Sequence, residues 1–60
     1  MYEVAVYASM GRKMTGDTCA RGTFENKREA KREAVKQADN GYWVEIFAED
    51  GELLEELYPE

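Results

Sequence analysis

A single helix with chemically marked ends divides this chain into two halves. Asn26 followed three residues later by Glu29 forms a capping box. In this motif the Asn26 side chain accepts a hydrogen bond from the Glu29 backbone N–H, and the Glu29 carboxylate accepts one from the Asn26 backbone N–H. Gly41 supplies the left-handed residue that ends a helix without a Cβ clash. We therefore predict one helix over residues 27–39. Its stripe of small side chains, which lets a helix lie close on a sheet, consists of Ala30, Ala34 and Ala38.

Alternating side chains on both sides of this helix predict four strands. Segments 2–8 and 42–48 alternate with a period of two. A loop over residues 9–17 separates the first strand from a short extended run at 18–23. Asp50-Gly51, the residue pair of a two-residue type I′ turn, leads into a last strand at 52–58. The chain is thus predicted to be a single α+β domain over residues 1–60, with a four-stranded antiparallel sheet of two hairpins, one helix on one face and the order β-β-α-β-β.

The charges are sorted along the chain. Thirteen acids and eight bases give a net charge of −5, and all eight bases lie within residues 1–36, whereas residues 37–60 hold eight acids and no base. Such a surface disfavours nucleic acid and anionic membranes and suits a protein partner with a basic surface. The alternative is that the acids protect a sheet edge and keep a small protein soluble.

Large apolar side chains occur on both faces of the second hairpin. If Val44 and Ile46 face the helix, Trp43 and Phe47 point to the other side of the sheet. A chain of 60 residues buries only about 60% of the surface that it exposes when unfolded, so this patch is not fully buried in a monomer and is expected to bind a partner or a second copy. The alternative is that loop 9–17 covers it. The side chains predicted to bind a partner are Trp43, Glu45, Phe47, Glu49, Leu54, Glu56 and Tyr58.

The register of the second hairpin carries a conflict. A two-residue turn makes Leu54 and Tyr58 the cross-strand neighbours of Phe47 and Trp43. The same turn places Glu55 opposite Ile46, on the face predicted to be buried. Either a β-bulge or a different register is needed.

Catalytic chemistry is largely missing from the sequence. The chain has no histidine and one cysteine, Cys19, which cannot form an internal disulfide and suits a reducing, cytoplasmic location. We expect no enzyme activity, no metal and no cofactor. The longest uncharged run, residues 4–11, is far shorter than the roughly 20 residues of a membrane span. Arg12, Lys13 and Arg21 are candidates for a small basic patch suited to a phosphate or an acidic side chain, and the favoured alternative is a solvated hairpin tip.

One part of the sequence resembles a known family. The segment Gly22-Thr-Phe-Glu-Asn-Lys-Arg-Glu-Ala-Lys-Arg-Glu-Ala, followed by Gly41, Glu49-Asp50-Gly51 and Leu53-Leu54, is similar to small phage-borne inhibitors of type I CRISPR surveillance complexes, which share the order β-β-α-β-β. The resemblance covers residues 22–54 and implies a protein that binds a defence complex and blocks access of target DNA without catalysis. The chain departs from the family in its more acidic tail and its first hairpin.

Two other functions compete with a non-enzymatic protein-interaction module. The strand-to-helix junction also resembles the arm-binding domain of phage-type integrases, in which a sheet packed on a helix reads DNA. The acidic second hairpin opposes direct contact with a duplex, so DNA binding is the second hypothesis. A homodimer that closes its own exposed sheet face is the third. The side chains that DNA binding would use are Arg12, Lys13, Arg21, Arg28 and Arg32.

Overall fold

Strand β1 lies inside a four-stranded antiparallel sheet with the order β2-β1-β3-β4. The structure, a computed structural model, describes residues 1–59. The predicted α+β class is confirmed, and the strand ends differ from the predicted ones by one or two residues. The elements are β1 (Tyr2–Tyr7), α1 (Met10–Thr15), β2 (Ala20–Phe24), α2 (Lys27–Asp39), β3 (Trp43–Phe47) and β4 (Leu53–Leu57). In the described part of the chain, neither helix has the length and apolar character needed to cross a membrane.

Helix α2 has the bounds that its capping signals predict. The Asn26 side-chain oxygen accepts the Glu29 backbone N–H at 2.9 Å. The Glu29 carboxylate accepts from the Asn26 side-chain amide at 3.3 Å rather than from the cap backbone. At the other end, Gly41 has φ +94°, and the Tyr42 N–H donates to the Gln37 carbonyl at 3.1 Å. This 6→1 bond is that of a Schellman motif, which requires the left-handed glycine.

The core lies between α2 and one face of the sheet. The alanine stripe of α2 is buried against aliphatic side chains of the two central strands, and half-buried aromatic and leucine side chains close its edges. Small residues on the helix allow this close approach. The buried residues are Val4, Val6, Ala30, Ala34, Ala38, Val44 and Ile46. The residues packed at the edges are Tyr2, Phe24, Tyr42 and Leu57.

The turn between β3 and β4 differs from the prediction. The Gly51 N–H donates to the Ala48 carbonyl at 2.9 Å, and the Ala48 N–H donates to the Glu52 carbonyl at 2.8 Å, which encloses a loop of three residues. Gly51 has φ +90°, and no described non-glycine residue has a positive φ. A type I′ turn needs positive φ at both central residues, so the predicted turn is wrong. An Asp-Gly pair serves equally in a three-residue loop that ends with a left-handed glycine.

A β-bulge in β4 resolves the register conflict. Leu53 lies opposite Phe47 and Glu55 opposite Ile46, so Leu54 is the extra residue of the bulge. The predicted pairing of Leu54 with Phe47 is therefore wrong. Glu55 does face the α2 side of the sheet, where it forms an ion pair with Lys31.

The first hairpin contains a short helix that the sequence analysis assigned to a loop. The Ser9 hydroxyl caps α1 by accepting the Arg12 N–H at 3.2 Å, and Gly16 ends it with φ +75°. No residue of α1 is buried. Six residues without an apolar stripe carry no periodic signal, so only the two capping residues indicate this helix.

Candidate functional site

The sheet face opposite α2, called the outer face, carries the side chains predicted to bind a partner. It is formed by alternate residues of the four strands, because neighbouring residues of a strand point to opposite faces. Trp43 and Phe47 lie there as predicted, and both are half-buried. Ala5 and Tyr7 of β1 are buried on the same face. The outer face is therefore partly covered, and its two ends differ.

At one end, called the closed end, a lysine from α1 joins two opposed glutamates. Glu45 and Glu56 are direct cross-strand partners. The Lys13 Nζ lies 3.3 Å from Glu45 Oε2 and 2.9 Å from Glu56 Oε2. The side chains of Lys13 and Glu45 are only 16% and 14% exposed. Like charges placed directly opposite each other destabilise a sheet, and here the Lys13 ammonium between the two carboxylates reduces their repulsion and leaves one net negative charge.

A tyrosine completes this group, which we call the Lys13 cluster (Tyr7, Lys13, Glu45 and Glu56). The Tyr7 hydroxyl donates to Glu45 Oε1 at 2.8 Å. Burial, together with this hydrogen bond, raises the pKa of Tyr7. The hydrogen bond to Glu56 raises the pKa of Lys13, and the same contact lowers the pKa of Glu56. These shifts keep Lys13 and Glu56 ionised and Tyr7 neutral near neutral pH.

Helix α1 covers the closed end through this cluster. Apart from Lys13, its side chains are exposed, including Met10 at 45% and Met14 at 81%. An ionic contact, without a buried apolar side chain, therefore holds α1 on the sheet. Segment 9–17 therefore covers the outer face at this end only, so the alternative stated above holds for part of the patch. Trp43 and Tyr58 also contact each other here, edge to face, with ring centroids 5.2 Å apart.

The other end, called the open end, has no helix above it. A shallow groove of about 500 Å³ runs between the first residues of β1, the edge strand β2 and the β3–β4 turn. Phe47 and Ala48 give it an apolar part, and Arg21 and Glu3 lie on its wall in an ion pair of 3.5 Å. This groove is open enough to admit a side chain from another molecule.

Carboxylates surround the turn beside this groove. Glu49, Asp50 and Glu52, which we call the acidic tip, are all exposed. Glu49 lines the groove and lies 3.7 Å from the Met1 amino group, with its side chain 85% exposed. Asp50 accepts the Glu52 backbone N–H at 3.0 Å, as turn aspartates do. Among the described residues, the acidic tip meets no lysine or arginine within ion-pair distance.

The structure therefore divides the predicted partner-binding residues into two groups. Phe47 and Glu49 lie at the open end, and Leu54 is the bulge residue of β4 next to it. The remaining four lie at the closed end, where Lys13 already contacts the two carboxylates. Those four are Trp43, Glu45, Glu56 and Tyr58.

The three residues of the predicted basic patch are each paired with a carboxylate of the same chain. Arg12 contacts Asp17, Lys13 contacts the two glutamates of its cluster, and Arg21 contacts Glu3. Arg28 and Arg32 are exposed on α2, on the other side of the sheet from the outer face. The basic side chains are thus distributed over both sides of the molecule, and three of them are neutralised.

The Lys13 cluster and the Lys31–Glu55 pair were missed from the sequence. The signal for both was the register of the second hairpin, which places Glu45 opposite Glu56 and Glu55 opposite Ile46. Carboxylates in such positions require a cation nearby. Which lysine supplies it depends on how α1 and α2 pack on the sheet.

Other chemistry is sparse within residues 1–59. No group of three His, Cys, Asp or Glu side chains lies close enough there to hold a metal ion. Cys19 is exposed as a free thiol just before β2. Comparisons of the chain with protein-family models, with curated proteins and with solved structures found no match.

Proposed function

We propose that this chain is a non-enzymatic interaction module that binds a protein with a basic surface through the open end of its outer face. The observation that carries the proposal is the position of the acidic tip beside the groove that contains Phe47. An apolar pocket next to carboxylates that no described lysine or arginine contacts fits a segment that presents an apolar side chain beside lysine or arginine.

The charges on the rest of the molecule support this location. Lys13 offsets one of the two carboxylate charges at the closed end, and Lys31 contacts Glu55 on the α2 side. The acidic tip therefore provides the strongest attraction for a positive partner. Long-range attraction of this kind accelerates association and weakens as salt is added.

The resemblance to small phage-borne inhibitors suggests the class of partner. Such a protein would act by occupying a basic surface of a nucleic-acid-handling complex, which otherwise binds DNA or RNA phosphates. A row of exposed carboxylates competes for that surface because it presents the same charge. No catalytic step is needed for such inhibition.

Capture of partners from a lysate of the source cells tests the proposal with a charge-matched control. The binding variant is Glu49→Lys/Glu52→Lys in the acidic tip. The control is Glu33→Lys/Asp39→Lys on α2, which changes the net charge by the same amount. We expect wild type and control to capture the same basic protein saturably at low salt, with capture decreasing as salt increases. The tip variant should lose it. Absence of a saturable protein partner for wild type at low salt would reject the proposal.

DNA binding is examined in the same preparation by gel shift with duplex and single-stranded DNA. We expect no shift at physiological salt, because the acidic half of the chain repels phosphates. A shift that Arg28→Glu/Arg32→Glu abolishes would instead establish the nucleic-acid alternative.

A further inference from the structure

We infer that the edge strand β2 pairs with β2 of a second copy of this chain, which joins the two sheets into one of eight antiparallel strands. Both edge strands of a sheet expose backbone N–H and C=O groups that can pair with another strand. The two edges of this sheet, β2 and β4, are protected to different degrees. This difference identifies β2 as the edge that pairs.

Strand β4 carries several features that prevent edge pairing. It contains the bulge at Leu54, and Pro59 follows it. Glu52, Glu55 and Glu56 lie in or next to the strand, so a second β4 would bring carboxylates together. Bulges, charges and proline are the means by which natural sheets protect their edges.

Strand β2 lacks these features. It pairs with β1 in an unbroken register over five residue pairs, from Ala20 to Phe24. Its one charged side chain, Arg21, already contacts Glu3 at 3.5 Å. The edge of β2 is therefore regular and almost free of net charge.

The α2 side of β2 has room for a neighbour. Ala20 lies on the same sheet face as Val6, its partner in β1, yet it is exposed whereas Val6 is buried. Between β2 and α2 lies a groove of about 110 Å³, lined on the sheet side mainly by Val6, Ala20, Gly22 and Phe24 and on the helix side by Glu33 and Gln37. Apolar side chains of another strand can enter this groove next to α2.

A two-fold axis through Gly22 makes the strand complementary to itself. Directly opposed residues of an antiparallel pair point to the same face, so this axis places both α2 helices on one side of the joined sheet. Gly22 then faces Gly22, and each Phe24 faces Ala20 of the second copy. The large ring lies over the small side chain, and Phe24 closes the exposed side of the groove.

The other face of the paired strands is also compatible with a second copy. The same register sets Arg21 opposite Thr23 of the second copy, so no two like charges are directly opposed between residues 20 and 24. A chain of 60 residues gains from such an interface, because alone it buries only about 60% of the surface that its unfolded chain exposes, less than larger domains bury. This pairing leaves the acidic tip free, while Arg21 and Thr23 of β2 also line the groove at the open end.

The mass of the protein in solution tests the inference. Sedimentation equilibrium of the full chain, from about 5 to about 500 µM, should show a monomer–dimer equilibrium. Ala20→Lys places a lysine against Phe24 of the second copy and should raise the dissociation constant by roughly tenfold or more. The matched control is Val35→Lys, which also replaces an exposed apolar side chain. Val35 is one helical turn from Lys31, on the β4 side of α2, and its variant should dimerise like wild type.

Amide hydrogen exchange locates the interface without depending on the variant. Backbone amides of β2 that point away from β1 should exchange more slowly as the protein concentration rises, whereas amides at the β4 edge should not change. A monomer throughout the concentration range would overturn the inference. A dimer that Ala20→Lys leaves intact, or one that protects β4 amides, would overturn it as well.

Discussion

The pairing of Glu45 with Glu56 makes the closed end depend on one lysine. Two carboxylates in a direct cross-strand pair repel each other, and Lys13 contacts both at 3.3 and 2.9 Å. Because α1 buries no residue of its own, the same lysine also holds that helix against the sheet. Loss of Lys13 should therefore affect both the sheet and the position of α1.

Lys13→Met should lower the thermal unfolding midpoint by about 5 °C near neutral pH, since it removes one ion-pair network from a small domain. The effect should depend on pH at both ends of the range. The pKa of Lys13 is raised above its usual 10.5, so its contribution is complete below that pH and disappears as the pH rises through the folded value. The pKa of Glu56 is lowered below 4.5, so its contribution is complete above that pH and disappears as the pH falls through the folded value. Calorimetry across the pH range measures the difference between wild type and variant.

Two further variants separate charge pairing from packing of the lysine stem. Lys27→Met removes an exposed lysine at the positive end of the α2 dipole and should not destabilise the protein. Adding Glu56→Gln to Lys13→Met should restore part of the stability, because the opposed carboxylates are then no longer both charged. An equal loss at all pH values, without any restoration by Glu56→Gln, would show that Lys13 acts through packing alone.

The elements differ in how far local sequence determines them. Helix α2 was predicted to the residue because Asn26 and Gly41 act within one turn of its ends. Helix α1 was not predicted, since six residues with one contacting lysine show no apolar period. The β3–β4 turn was predicted at the correct position but with the wrong turn type, because Asp50-Gly51 fits a two-residue and a three-residue loop alike. The Lys13 cluster joins α1 to two strands that are distant in the sequence. No local sequence pattern predicts contacts between residues so far apart.

Asn26→Ala should destabilise the protein by about 1 kcal/mol, because the Glu29 N–H loses its acceptor at the start of α2. Urea unfolding followed by circular dichroism measures the change. Asn26→Asp, which keeps a side-chain oxygen at the same place, should retain most of the wild-type stability. If Ala and Asp variants unfolded at the same urea concentration, the cap would not be the source of the effect.

At the scale of the whole molecule, the core is thin. Four aliphatic side chains of the sheet, Val4, Val6, Val44 and Ile46, pack against three alanines of α2, and only half-buried side chains surround them. A small domain of this kind has little stability to lose. The acidic half of the chain adds repulsion, which the contacts of Lys13 and Lys31 reduce locally. Each buried methyl group should therefore have a measurable effect.

Ile46 is fully buried and has the largest side chain among the core residues, so it gives the clearest measure of that dependence. Ile46→Val should lower the free energy of unfolding by about 1 kcal/mol, and Ile46→Ala by about 3 kcal/mol, because each leaves a cavity that a sheet packed on alanines cannot close. Val35→Ala, at an exposed position of α2, should change it by less than about 0.5 kcal/mol. Urea unfolding at one fixed protein concentration compares the three variants. Equal effects at positions 35 and 46 would mean that α2 does not hold the sheet through this core.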